Sequence, residues 1–366
     1  MQMELARCLE ACALEEGFVL ASVLDLELAQ NQIIPHVERY DRWIDEGNAG
    51  AMQYLERGRD RRADPRAVMP EALSVLCVAL PYPKHAGGAS SSEQGPRYAR
   101  YINGRDYHEV IAEKLEHAMR AAAKRAGLGE SLKWKICVDT SAVLERSWAA
   151  LAGLGWIGKN TLLIHPKLGS YLFLGEVLIN QATGQGPRPM SDYCGHCTRC
   201  LKACPTEAIR EPHWVDSRRC ISYWTLEKRG ELVLSEKDKL AIGTWVAGCD
   251  LCQEVCPFNF KPVALENAAG IRTEPQVSDW ERLLQEDLAN YRERVAHSAL
   301  NRVKPAQFSR NLAIALGNTL LTDETGALSR LEPWVQKRLS IEQDPAARAE
   351  WERCLGAFSE RSRLTP

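Results

Sequence analysis

The sequence predicts a chain of mixed class in three parts: an α/β layered part, a compact cysteine-rich part and a helical tail. Three observations carry that prediction. Strand-like apolar runs alternate with helix-period segments up to about residue 180. Eight of the 13 cysteines then fall between Cys194 and Cys256. Beyond them, apolar residues recur at the 3.6-residue spacing of packed helices. Length agrees, since 366 residues at about 100–200 per domain means two or three domains.

The N-terminal stretch predicts an amphipathic helix, with Leu5, Cys8, Leu9, Cys12 and Ala13 on one face. Strands are expected over Leu73–Leu80, Trp134–Val138, Thr161–His165 and Ser170–Ile179, and helices over Tyr107–Ala126 and Ser141–Ala152. Residues 85–97 (HAGGASSSEQGPR) form a polar loop long enough to act as a lid. The linker 181–192 introduces the cysteine-rich part, and a second linker, 261–278, leads to the tail. There, 280–295 and 305–318 carry apolar helix faces such as Phe308, Leu312, Ala315 and Leu316. Asp344-Pro345 reads as N-cap and first turn of a last helix.

Composition excludes several classes. With 45% hydrophobic and 26% charged residues the chain is neither disordered, collagenous nor a coiled coil. A net charge of −2 gives no global pull toward nucleic acid or an anionic membrane, so either partner needs a local patch. The apolar runs, such as Val75–Leu80, fall far short of the roughly 18 residues of a membrane span. Without a basic-then-apolar leader, the expected address is the cytoplasm.

An odd cysteine count in such a chain argues for metal or catalysis rather than a disulfide framework. Cys194, Cys197, Cys200 and Cys204, followed by Pro205, have the C-x-x-C-x-x-C-x-x-x-C-P spacing of bacterial four-iron clusters. In that pattern the fourth cysteine ligates the neighbouring cluster. Cys249, Cys252 and Cys256, followed by Pro257, repeat the run without its leading cysteine, where Val246 stands. Cys220 is the one cysteine between the runs, and adding it completes the count. One [4Fe-4S] cluster then takes Cys194, Cys197, Cys200 and Cys256; the other takes Cys204, Cys220, Cys249 and Cys252. Two zinc sites are the alternative, but zinc rarely uses three evenly spaced cysteines ending in Cys-Pro. Cys8, Cys12, Cys77, Cys137 and Cys354 read as small buried hydrophobes.

Gly153–Asn160 (GLGWIGKN) satisfies G-x-G-x-x-G and nearly satisfies a P-loop. Both nucleotide motifs need a strand before the glycines and a helix after them, and here the order is reversed. A helix C-cap with a tight turn, or a close backbone approach to something flat, remains. Asp139 ends the strand WKICV, and there a carboxylate is either an N-cap or, when buried, a general acid. Arg57, Arg59, Arg61, Arg62 and Arg66 form either a solvated face or a phosphate-contacting patch, and Arg302, Lys304 and Arg310 invite the same pair of readings.

Across nearly its whole length the chain resembles the epoxyqueuosine reductase family. The words that carry this are RYINGRDYH (100–108), VDTSAVLERSWA (138–149), GLGWIGKN (153–160), GSYLFLGEVL (169–178), CGHCTRCLKACPTEAI (194–209), RRCISYWTLE (218–227), GCDLCQEVCPFN (248–259) and RNLAIALGN (310–318). The resemblance implies an α/β cobalamin-binding catalytic domain over 1–190, a ferredoxin-like domain with two [4Fe-4S] clusters over 191–262, and a HEAT-like helical domain over 275–366 that contacts tRNA. It implies reduction of epoxyqueuosine to queuosine in the tRNA anticodon loop, by two electrons and two protons, with loss of water.

The implied cofactors are cobalamin and the two clusters. The implied partners are tRNA and an external low-potential electron donor, with no membrane, and the chain acts as a monomer. Asp139 matches the family's acidic position and becomes the proton donor, although many relatives carry proline where Ala142 stands. Asp106-Tyr107-His108 begins like a cobalamin D-x-H-x-x-G motif, but Ile111 occupies its glycine position, which agrees with cobalt lacking a protein histidine. Arg57, Tyr101, Asp139, Lys159 and Ser222 are the expected cobalamin contacts, and Arg61, Arg62, Arg302, Lys304 and Arg310 the expected tRNA contacts. Two other readings use the same cysteines: a cobalamin-dependent reductive dehalogenase, and a dicluster ferredoxin acting as an electron-transfer protein. The dehalogenase reading lacks a twin-arginine leader, since Arg61-Arg62 is internal.

Overall fold

The computed structural model describes residues 2–82, 95–260 and 279–362. The 261–278 linker and most of the expected 85–97 loop lie outside the described residues. Helix α1 (Gln2–Glu15) buries Leu5, Ala6, Leu9, Cys12 and Ala13, the face its periodicity marks. Four strands follow: β1 (Leu20–Asp25), β2 (Ser74–Pro81), β3 (Trp134–Cys137) and β4 (Leu172–Ile179). Between them run helices α2 (Gln30–Asp45), α3 (Tyr107–Arg125) and α4 (Glu145–Leu151).

The strands pair in the order β1-β2-β4-β3, and each neighbouring pair is antiparallel. β2 reads as a continuous apolar run because both sheet faces are covered. On one face Leu9 of α1 and Ile111, Leu115 and Met119 of α3 share a core with Leu76, Val78 and Val177. On the other, Ile33 of α2 and Trp148 of α4 share a core with Val75, Cys77 and Cys137. The expected α/β layering is thus a three-layer sandwich.

Three local differences have physical causes. Neither β1 nor α2 stands out in the sequence: β1 is a short edge strand, and α2 buries only Ile33 and Ile44. α4 begins at Glu145 rather than Ser141, because Asp139 turns left-handed (φ 51°) and donates its N–H to the Glu145 side chain. The strand expected over Thr161–His165 shortens to Leu163–Ile164, paired with Trp156–Ile157 in a hairpin. The glycine-rich word is therefore a cap and hairpin. Gly153 (φ 84°) ends α4, and a Cβ there would stand 2.7 Å from the Arg188 carbonyl oxygen.

The cysteine-rich part is stitched to its neighbours. Arg97–Tyr98 pairs in parallel with Trp245–Ala247. In the tail, the helix α5 (Pro305–Thr322) is buried continuously from Gln307 to Leu320, and α6 (Glu332–Ile341) and α7 (Pro345–Ser362) complete the described C-terminal helices. Asn311 Nδ2 donates to the carbonyls of Thr225 (2.8 Å) and Val246 (2.9 Å), and Asn318 Nδ2 to that of Lys239 (2.8 Å). The word RNLAIALGN docks the tail onto the cysteine-rich part.

Candidate active site

A cavity of about 1140 Å³ opens where the three parts meet. α2 contributes Tyr40 and Trp43, the turn before α4 contributes Asp139 and Leu144, the cysteine-rich part contributes Trp214 and Glu227, and the tail contributes Arg302 and Lys304.

Asp139 owes its place to the end of β3, as a carboxylate at a strand's carboxyl end reaches a crevice. Its Oδ2 lies 3.3 Å from His108 Nε2, and His108 Nδ1 lies 2.6 Å from Asp106 Oδ1. Asp106 is the N-cap of α3, which fixes the other end of this chain of bonds. Burial alone would lower the His108 pKa, but the two carboxylates outweigh it and raise it to about 9, so the ring is an imidazolium at neutral pH. For Asp139 burial acts upward, yet His108, then Arg302 and Arg146, hold the carboxyl below its usual range. The pair's proton therefore resides on His108.

Because the folded His108 pKa exceeds the ordinary 6.5, the stabilisation it brings is complete below about pH 6.5 and is lost as pH rises through about 9. Urea midpoints of the parent and of His108→Gln should differ most at pH 6 and converge above about pH 9.

The eight motif thiols fall into two groups. Burial pushes Cys200 up to about 11, with Cys194 and Cys256 adding to it, and Cys256 is acted on by Cys194 and Cys197. Burial likewise raises Cys249, which feels Cys220 and Cys204, and Cys252, which feels Cys249 and Cys220 and, from the first group, Cys200.

The other expected contacts divide. Arg62, Arg302 and Lys304 line the cavity, and Arg302 is paired with Glu227. Arg61 is exposed on the short helix Arg59–Ala63. Arg57, Tyr101, Lys159 and Ser222 stand outside the cavity lining. Arg57 donates to Gln53 (2.9 Å), and Tyr101 packs edge-on to Tyr107. Lys159 Nζ donates to the Gly195 and Cys197 carbonyls, bracing the first cysteine loop, and the Ser222 N–H is directed at the Cys220 sulfur.

Arg310 corrects an expectation: it is 1% exposed and cannot meet tRNA. Its guanidinium donates to the carbonyls of Trp224 (2.8 Å), Lys228 (2.9 Å) and Gly230. Arg310→Met should leave these buried acceptors unpaired, costing about 1–3 kcal/mol each. The expected reading is a lower Tm, with tRNA affinity unchanged at temperatures where the variant is folded.

Residues 193–259 match the family model described as a 4Fe-4S double cluster binding domain, and residues 62–140 match that described as Epoxyqueuosine reductase QueG, DUF1730. The epoxyqueuosine reductase of Synechococcus sp. (strain CC9605) is 37% identical over 317 residues, 86% of this chain and 95% of that one. That of Aliivibrio fischeri (strain ATCC 700601 / ES114) is 33% identical over 352 residues, 95% of this chain and 90% of that one.

The chain belongs to the epoxyqueuosine reductase family.

As a family member it is an oxidoreductase, and solved epoxyqueuosine reductases share its fold. The selenomethionine-labelled crystal structure of one superposes with a TM-score of 0.76 at 25% identity, covering 98% of this chain and 100% of that one. One from Bacillus subtilis, whose catalytic aspartate loop is swung out of the active site, gives the same score, identity and coverage. Another, bound to an epoxyqueuosine-modified tRNA-Tyr stem loop, has a TM-score of 0.74 at 24% identity over 98% of this chain and 100% of that one.

His108, Glu145, Arg146 and Glu227 complete the site, and the sequence gives them little prominence. His108 is visible only within the broken D-x-H word, and Glu145-Arg146 reads as ordinary helix surface.

Proposed function

We propose that this chain reduces epoxyqueuosine to queuosine in tRNA in the cytoplasm, with residues 1–190 catalytic, 191–262 carrying the clusters and 275–366 guiding the tRNA. The observation that carries this is the Asp106–His108–Asp139 chain opening into a cavity shared by all three parts. The family membership names the substrate. Among the described residues, no helix is long and apolar enough to cross a membrane.

The balance is one epoxide, two electrons and two protons, giving one alkene and one water. Removing the oxygen requires a proton as its bond to carbon breaks. At neutral pH the His108–Asp139 pair holds one proton, which passes to the departing oxygen through the Asp139 carboxyl. Arg302, held by Glu227, places positive charge beside that carboxyl and on the route of a phosphate backbone. Arg61 and Lys304, both exposed, extend the basic surface, while Arg62, 8% exposed, faces the cavity.

The two thiol groups fit the two clusters, with Cys194, Cys197, Cys200 and Cys256 holding one and Cys204, Cys220, Cys249 and Cys252 the other. The cavity also fits cobalamin. It is wide, it has apolar walls such as Trp43, Trp214 and Leu144, and both ring nitrogens of His108 are engaged by carboxylates. When bound, cobalamin supplies a low-potential centre that passes the cluster electrons to the substrate. Tyr40, Trp43, Trp214 and Ser217 would hold it.

The test is anaerobic: cluster-loaded protein, a low-potential reductant and an epoxyqueuosine-containing stem loop, with and without cobalamin. The released nucleoside should lose the mass of one oxygen only when cobalamin is present. No conversion with clusters and cobalamin bound would overturn the reading and favour a plain electron-transfer protein.

A further inference from the structure

Beneath Asp139 lies a polar cluster that proton delivery leaves without a task. Glu176 stands on β4 in the register row Ser22–Cys77–Glu176–Cys137 that crosses the whole sheet. Cys77 and Cys137 belong to the apolar core under α4, so Glu176 rises into that core. It is 0% exposed, and neither carboxylate oxygen has a hydrogen-bond partner at ordinary geometry. A bare carboxylate there would be an uncompensated buried charge.

The groups facing Glu176 are few. Glu145, at the first position of α4, is foremost, and Asp139 lies beyond it. Cys77 on β2 and Cys137 on β3 flank it, both thiols raised by burial and so neutral. Glu145 is faced in turn by Asp139, Arg146 and His108. Its Oε1 accepts the backbone N–H of Asp139. That bond spans the one left-handed residue of the turn, a conformation that costs an aspartate energy unless its surroundings hold it.

We propose that Glu145 and Glu176 share one proton and together act as the positioning pair for Asp139. The shared proton joins the two carboxyls, and the remaining Glu145 oxygen holds the Asp139 N–H, aiming the Asp139 side chain at His108 and the cavity. Two carboxylates this close cannot both ionise in an apolar setting. Burial pushes Glu145 up to about 7 and holds Glu176 well above the ordinary carboxyl range, so the pair keeps a proton near neutral pH. Once that proton is lost, like charges drive Glu145 away and the turn is released. In the Bacillus subtilis relative the catalytic loop is found swung out; here the bond to Glu145 is one that such a swing must break.

The proposal rests on Asp139 being the acid, and its test separates the two. Glu145→Ala should lower kcat about 10- to 100-fold with KM for the stem loop unchanged, and Glu145→Gln, which keeps an acceptor oxygen, should restore most of it. Glu176→Gln supplies a permanent neutral donor. It should move the alkaline limb of the kcat profile upward, toward the His108 value of about 9. In the full-length, cluster-loaded chain without substrate, the infrared carbonyl stretch of a protonated carboxyl should persist at pH 7 and vanish in Glu176→Gln. Full kcat in Glu145→Ala, an unmoved profile, or no such band would overturn the pairing. If Asp139→Asn keeps full turnover while the band is present, the reading of Asp139 fails and the shared proton stands.

Discussion

Asp139→Asn should lose about 10²–10⁴-fold in kcat while binding the epoxyqueuosine stem loop as the parent does. The amide keeps the size of the side chain and can still meet His108, but it cannot carry a proton to a leaving oxygen. The geometry makes the result specific. His108 Nε2 is 3.3 Å from the Asp139 carboxylate, and the other ring nitrogen is committed to Asp106, so the route from the imidazolium runs through residue 139. Rapid-mixing turnover with saturating stem loop measures kcat, and titration of the same stem loop measures affinity. A variant with parental kcat would place the proton source elsewhere.

Cys220→Ala should remove one cluster and all turnover. Cys220 belongs to neither cysteine run, yet its thiol sits with Cys204 and Cys249. Losing it leaves that group one thiolate short of the four a cubane takes, so iron per chain should fall by about half after anaerobic reconstitution. Electron paramagnetic resonance of the reduced protein should then show one cluster without the coupling between two. A conservative Cys8→Ala substitution, far from the runs, should leave both iron and turnover unchanged. Full iron in Cys220→Ala would send the fourth ligand elsewhere.

Much of this was legible in the sequence where one segment carries its own signal. β2, β3 and β4 appear within two residues of their apolar runs, and β2, buried along nearly its whole length, needs little but apolar side chains because both its faces are covered. The cysteine spacing is legible for a similar reason: the loop itself fixes where three thiols stand. Asp139 is visible because it ends a strand. Its partners are not, since His108 lies 31 residues away and only folding brings α3 beside β3. Glu145 and Glu176 are harder still. One resembles any first-turn glutamate and the other a lone polar residue in LFLGEVLI, and their meaning arises from the register that stacks β4 under α4. Arg310 shows the opposite error: a basic residue at a helix start reads as surface until the carbonyls of Trp224 and Lys228 close around it.

Those carbonyls bear on modularity. The cysteine-rich part resembles a unit that could be cut out and used alone as an electron carrier. Yet the carbonyls of Trp224, Thr225, Lys228 and Val246 are bonded by Arg310 and Asn311 of the tail, and Trp245–Ala247 by the strand Arg97–Tyr98 from the N-terminal part. Excised, the segment would expose its hydrogen-bonding edges on two sides. Swapping it for a free-standing ferredoxin would require redesigning both seams, so gene fusions and chimaeras in this family should exchange the three parts together rather than one at a time.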